Sequence, residues 1–115
     1  MEHESVIDMA TFEGLKDMVG EDFIAELVGT FFEEAPRLIS DLQTSLQAGD
    51  APAFTRAAHS LKSNSASFGA NTLAAQAREI EMLGRAGELE KGGVLLAALE
   101  ESYSQVEEAL RTLLL

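Results

Sequence analysis

Residues 57–69, AAHSLKSNSASFG, decide how this chain folds and where its chemistry lies. On a helix with about 100° per residue, one side of the segment collects Phe54, Ala57, Ala58, Leu61, Ser65 and Phe68. His59 lies on the other side, where its neighbours within about 60° are Thr55, Arg56, Lys62, Ser63 and Ala66. The pattern predicts an amphipathic helix that buries its apolar side and directs His59 to solvent.

An exposed histidine with cations beside it is suited to phosphoryl chemistry. The neutral imidazole keeps a nucleophilic lone pair. Lys62 follows His59 by three residues, the spacing of helical neighbours, so its ammonium can reach an anionic group on the ring. Arg56 precedes His59 by three residues and brackets it from the other side. A nucleophile, positive charge and open surroundings are what acceptance of a phosphoryl group requires. The competing interpretation is a solvated helix face without a function.

The composition excludes several classes of function. A chain of 115 residues forms one domain, and the absence of cysteine excludes disulfide scaffolds and thiolate metal sites. Twenty acidic against eight basic residues give a net charge of −12, which argues against nucleic acid or an anionic membrane as a partner. There is no long apolar run and no signal-peptide pattern, so we expect a cytoplasmic protein without membrane insertion. The sequence contains no glycine-rich phosphate-binding loop, so nothing in it suggests nucleotide binding.

Helical periodicity extends over most of the chain. We expect a flexible tail over residues 1–10 and a short helix that Thr11 caps over residues 11–19. Four longer amphipathic segments follow, over residues 23–48, 51–68, 71–84 and 95–113, with a loop between the last two. Four such helices with short connections predict an all-α fold, an antiparallel up-down four-helix bundle over residues 11–115 with the short helix across one end.

The motif around His59 resembles a known family. His59-Ser60-Leu61-Lys62, then a run of small polar residues and a glycine ten positions after the histidine, is similar to the signature of histidine-containing phosphotransfer (HPt) domains. The resemblance extends over about residues 20–112, because the flanking helices also match the family pattern. One departure is Ser63, where the family most often has glycine. Serine is the mildest replacement for glycine, so this departure affects the expected transfer rate and choice of partner more than the resemblance to the family.

The resemblance and the helix geometry together give a hypothesis for the role of each residue near His59. His59 accepts a phosphoryl group from the phospho-aspartate of a receiver domain and passes it to another response-regulator receiver. Lys62 contacts the phosphoryl oxygens, and Arg56 is a weaker electrostatic helper. Thr55, Ser63 and Ala66 form a docking rim that must stay small.

The resemblance also implies the partners and cofactors. The receiver supplies the catalytic carboxylates and Mg²⁺, so the chain needs no cofactor or metal of its own. The chain has no kinase activity and acts as a monomer, and its partners are response-regulator receivers and a hybrid sensor histidine kinase. It is either free-standing or a piece of such a kinase.

Two other interpretations remain open from the sequence. A non-catalytic helical adaptor would use the same face only for binding, and would tolerate His59→Gln. An autokinase dimerisation domain also presents a histidine from a helical bundle. That arrangement dimerises a two-helix hairpin and needs a nucleotide domain, whereas this chain supplies four helices by itself.

Overall fold

Five α-helices make up most of residues 6–114, the part of the chain that a computed structural model describes. They are α1 (Met9–Val19), α2 (Glu21–Ala48), α3 (Ala51–Ser67), α4 (Asn71–Ala86) and α5 (Gly92–Leu113), with a short 3-10 helix (Leu89–Lys91) before α5. No strand occurs within residues 6–114, so the all-α prediction is confirmed. The predicted loop before the last helix is shorter than expected, because α4 continues to Ala86 and α5 begins at Gly92.

Consecutive helices pack against one another around a single core. α2 contacts α3, α3 contacts α4, α4 contacts α5, and α2 also contacts α5. The short α1 lies against α2 and α3. Each helix contributes side chains that are at most 3% exposed, for example Phe12, Phe31, Leu61, Ile80 and Leu99. Packing rather than local propensity therefore stabilises α1, which is too short to form alone. Among the helices of residues 6–114, none combines the length and the apolar composition needed to cross a membrane.

The N-terminal segment joins the bundle earlier than the sequence predicts. Asp8, not Thr11, caps α1, because its side chain accepts a hydrogen bond from the backbone N–H of Ala10 at 3.1 Å. The hydroxyl of Thr11 also donates to Asp8, at 3.0 Å. Ile7 is fully buried in the core. The flexible tail predicted over residues 1–10 is therefore wrong for its second half, and its first five residues lie outside the described part of the chain.

Two glycines allow close approaches beside α3. Gly69, in the turn after α3, has a φ of +81°, in the left-handed region that favours glycine. The backbone N–H of Asp8 donates to its carbonyl at 2.8 Å, and a Cβ at Gly69 would come within 2.7 Å of the Asp8 carbonyl oxygen. Gly84 lies on the face of α4 toward α3, where a Cβ would overlap the hydroxyl of Thr55. These contacts hold α1 and α4 against the helix that carries His59.

Candidate functional site

His59 lies on the exposed face of α3 with its ring against α4. Its side chain is 57% exposed, and Nδ1 lies 2.8 Å from Oε2 of Glu81 on α4. The opposite face of α3 is buried, as the periodicity predicted, through Phe54, Ala57, Ala58, Leu61 and Ser65. Burial of that face presents the imidazole to solvent while the contact with Glu81 holds the ring in place.

Glu81 is the functional residue that the sequence reasoning missed. Its side chain is only 4% exposed, and its carboxylate accepts hydrogen bonds from Arg85 Nη2 at 2.7 Å and Lys62 Nζ at 2.7 Å, besides the contact with His59. The hydrogen bonds from Arg85 and Lys62 lower the pKa of Glu81 to about 2, against the opposing effect of burial, and the His59 contact adds to them. Glu81 is therefore an ionised acceptor near neutral pH.

The position of Glu81 in the sequence carries a signal that could have found it. The buried residues of α4 are Leu73, Ala77, Ile80, Glu81 and Gly84. Helical spacing places Glu81 next to the apolar stripe, four residues after Ala77. A carboxylate is almost never fully buried without partners, so an acid beside a buried stripe predicts cations or donors on a neighbouring helix.

The contact with Glu81 selects the tautomer of the imidazole. An ionised carboxylate can only accept hydrogen bonds, so Nδ1 of His59 carries the hydrogen that it donates. In the neutral ring the lone pair is then on Nε2. Nε2 makes no hydrogen bond within residues 6–114. The arrangement therefore presents one nucleophilic nitrogen to an approaching group.

The structure distributes the candidate cations unequally around the imidazole. Lys62 shares the Glu81 carboxylate with the ring, as does Arg85, which the sequence reasoning did not select. Arg56 lies elsewhere, in a groove of about 450 Å³ between α2 and α3 that Ser60 also lines. Arg56 is exposed and has no ion pair within the described residues. Lys62 is thus in the site, and Arg56 is at its margin.

The three predicted rim residues do not share one environment. Ser63 and Ala66 are exposed on α3, and Ser63 lines the same groove as His59. Thr55 is partly buried, donates its hydroxyl to the carbonyl of Ala51 at 2.8 Å and faces α4. Its position differs from the predicted open rim, because the close approach of α4 covers it.

A groove of about 640 Å³ lies beside His59 and extends between α1, α2 and α3. Its apolar lining is Leu15, Leu27, Phe31, Leu38 and Phe68. The rings of Phe31 and Phe68 pack with centroids 5.2 Å apart. Serines and an asparagine from α3 line its other side, with the Glu34–Arg37 ion pair at its edge. The groove offers an apolar surface next to the exposed imidazole.

The charged groups next to the imidazole are the side chains of Lys62, Arg85 and Glu81. Within residues 6–114, no three His, Asp or Glu side chains converge in a way that could hold a metal ion. Both oxygens of Glu81, the carboxylate that contacts His59, already accept hydrogen bonds. Two cations and one buried carboxylate therefore leave a net positive charge beside the ring.

Comparisons with known proteins point to one family. The family model of the Hpt domain matches residues 26–109. Among solved structures, the chain is similar to histidine-containing phosphotransfer protein B (HptB) from Pseudomonas aeruginosa PAO1, with a TM-score of 0.91 and 30% sequence identity. That alignment covers 95% of this chain and 94% of the other. A search of curated proteins found no significant match.

Proposed function

The chain belongs to the Hpt domain family, and we propose that His59 is the residue through which it carries a phosphoryl group in a phosphorelay. The observation that carries this proposal is the hydrogen bond from Nδ1 to Glu81, which leaves Nε2 as the free ring nitrogen of an exposed imidazole. Family membership supports the phosphotransfer role, and the geometry supports the choice of atom.

In the proposed reaction the Nε2 lone pair attacks the phosphorus of a receiver's phospho-aspartate. A new N–P bond forms, and the P–O bond to the aspartate breaks with its electron pair remaining on the carboxylate. The ring becomes an N-phosphorylated imidazolium that keeps its hydrogen on Nδ1. Glu81 stabilises that positive charge through the existing hydrogen bond. In the onward step, an aspartate of a second receiver attacks the phosphorus, and His59 leaves as a neutral ring with the same tautomer.

Charge and space around His59 support the transfer. We assign Lys62 to the phosphoryl oxygens, because its ammonium lies 2.7 Å from the carboxylate that also holds the ring. Arg56, at the margin of the site, is a weaker electrostatic helper. Ser63 and Ala66 leave the nitrogen accessible to a docked receiver, with the apolar groove as its contact surface. In-line transfer then needs alignment and charge neutralisation more than further protein chemistry.

The remaining parts of the proposal concern the assembly. The Mg²⁺ that phosphoryl transfer uses belongs to the partner receiver, and a hybrid sensor histidine kinase charges the donor. Hpt domains in general carry phosphoryl groups without kinase activity. The chain acts as a monomer, and α2 to α5 form an antiparallel up-down bundle with α1 across one end. Contacts between consecutive helices, and between α2 and α5, support that arrangement.

The test is transfer from a phosphorylated receiver with Mg²⁺, wild type beside His59→Gln. We expect an acid-labile, base-stable phosphoryl group on the wild type only, and NMR of the labelled ring should assign it to Nε2. Circular dichroism verifies that both proteins are folded. If folded wild-type protein takes no label from several receivers, or if His59→Gln is labelled equally, the relay proposal is wrong and the adaptor interpretation replaces it.

A further inference from the structure

Positive charge is concentrated on the two helices that form the site. Residues 51–86, which include α3 and α4, contain four of the chain's eight basic residues but only two of its twenty acidic ones. One of those two acids is the buried Glu81. The rest of the chain carries four basic and eighteen acidic residues. The chain is therefore strongly acidic outside the segment that contains α3 and α4.

The ion pairs also differ between α3 and α4 and the rest of the chain. Four cations outside α3 and α4 each have a carboxylate partner three or four residues away: Lys16–Glu13, Arg37–Glu34, Lys91–Glu88 and Arg111–Glu107. On α3 and α4, Lys62 and Arg85 share Glu81. Arg56 and Arg78 are exposed and have no carboxylate within ion-pair distance in the described residues. On α3 and α4 the side chains thus carry more positive than negative charge, whereas the grooves on the α2 side of His59 also contain Glu34, Asp41 and Asp50.

Helical geometry places these cations on both sides of the nucleophile. Lys62 lies on the α4 side of His59, and Arg56 lies on the α2 side. On α4, Arg78 and Arg85 are seven residues apart, which puts them on the same face about 10 Å from each other. Arg78 does not contact His59 or Glu81 within the described structure. It can therefore act on a partner only through its charge or at the edge of a docked surface.

We infer that this positively charged surface of α3 and α4 steers an acidic receiver face onto His59, and that Arg78 sets the rate of association without taking part in transfer. The inference rests on the proposed function. A phosphorylated receiver site combines a phosphoryl group with catalytic carboxylates, so it is negatively charged where it must meet His59. Complementary charge raises association rates and orients the encounter, while the acidic remainder repels wrong orientations. An extended polyanion such as nucleic acid fits less well, because it would continue onto acidic surface.

The test compares Arg78→Gln with Lys91→Gln, an exposed lysine outside this surface whose loss changes the net charge equally. Rapid-quench transfer from a phosphorylated receiver gives the second-order rate constant at low receiver concentration and the first-order rate at saturation. We expect Arg78→Gln to lower the second-order constant about two- to fivefold at about 20 mM salt, and the difference to disappear near 300 mM, where the Debye length is about 6 Å. The saturating rate should not change, and Lys91→Gln should match wild type.

Any of three kinetic results would overturn the inference. The two variants could show equal rates, the loss in Arg78→Gln could persist at high salt, or the saturating rate could fall, which would place Arg78 in the transfer step. Efficient competition by a short single-stranded oligonucleotide would also contradict it, because it would make a nucleic acid the favoured partner. Failure of the proposed function is distinct, since wild-type protein would then take no label at all.

Discussion

Glu81→Gln is the substitution that most directly tests the site, because it removes one charge and keeps the shape. Wild-type Glu81 accepts from His59, Lys62 and Arg85 while its side chain is 4% exposed. The amide oxygen of glutamine can still accept from Nδ1, so the ring orientation survives. The two cations, however, lose their carboxylate. We therefore expect a folded protein that is less stable near neutral pH and still accepts label on His59.

The expected loss of stability follows from the pKa of Glu81. Its displacement from 4.5 to about 2 corresponds to about 3 kcal/mol of folding free energy, at about 1.4 kcal/mol for each pH unit. Arg85 is the largest cause of the lowered pKa, but its side chain is 64% exposed, so solvent screening weakens its contribution. We therefore expect Glu81→Gln to lower the free energy of unfolding by about 1–2 kcal/mol near neutral pH. Because the folded pKa is depressed, this contribution is fully present above pH 4.5 and is lost as the pH falls toward 2.

The assay is urea unfolding of wild type, Glu81→Gln and Glu79→Gln at a series of pH values between about 7 and 2.5. Glu79 is the matched control, an exposed glutamate two residues away on the same helix. We expect the free energy of unfolding of Glu81→Gln to lie below that of wild type near pH 7 and to converge with it in acid. Glu79→Gln should follow wild type throughout. A constant gap at all pH values, or none, would refute an ionised Glu81 that stabilises the fold through its partners.

Two further substitutions test the glycines that bring the other helices against α3. Gly84→Ala should gain up to about 1 kcal/mol of stability from helix propensity but lose about 1–3 kcal/mol to overlap with Thr55, whereas Gly29→Ala, which has open space around it, should only gain. Thermal unfolding of the two variants measures the difference, and a stabilised Gly84→Ala would contradict the close approach. Gly69→Ala should cost about 2–3 kcal/mol of stability, because the backbone is left-handed there and the new Cβ would lie 2.7 Å from the Asp8 carbonyl oxygen; Gly87→Ala, with φ of +72° and open space, should cost only about 1 kcal/mol. Equal losses in urea unfolding would show that the contact between Gly69 and Asp8 contributes nothing.

Local periodicity was sufficient to predict the helices and the exposure of His59. Both depend on which residues of one segment share a face, and spacing determines this. Phe54, Leu61 and Ser65 are buried as their positions on the helix require. The same reasoning placed Lys62 beside the ring, since three residues separate them.

The parts that the sequence did not predict depend on contacts between segments distant in the chain. Glu81 is 22 residues from His59, and no pattern within α3 refers to it. Thr55 appears on the solvent side of a helical wheel, but α4 covers it because Gly84 carries no side chain. Asp8 replaces Thr11 as the cap of α1 because Ile7 packs in the core and Gly69 binds the Asp8 backbone. Each difference arises where packing against another helix overrides a local preference.

The close approach at Gly84 and the contact at Glu81 belong to one arrangement. Thr55 precedes His59 by four residues on α3, and Gly84 follows Glu81 by three residues on α4. The packing of Gly84 on Thr55 therefore lies about one helical turn from the hydrogen bond between Glu81 and His59. A glutamate has a short reach, so its carboxylate meets Nδ1 only if the two helices lie close together. The glycine, which has no part in the chemistry, thus contributes to the orientation of the nucleophile, and Gly84→Ala should slow labelling of His59 as well as change stability.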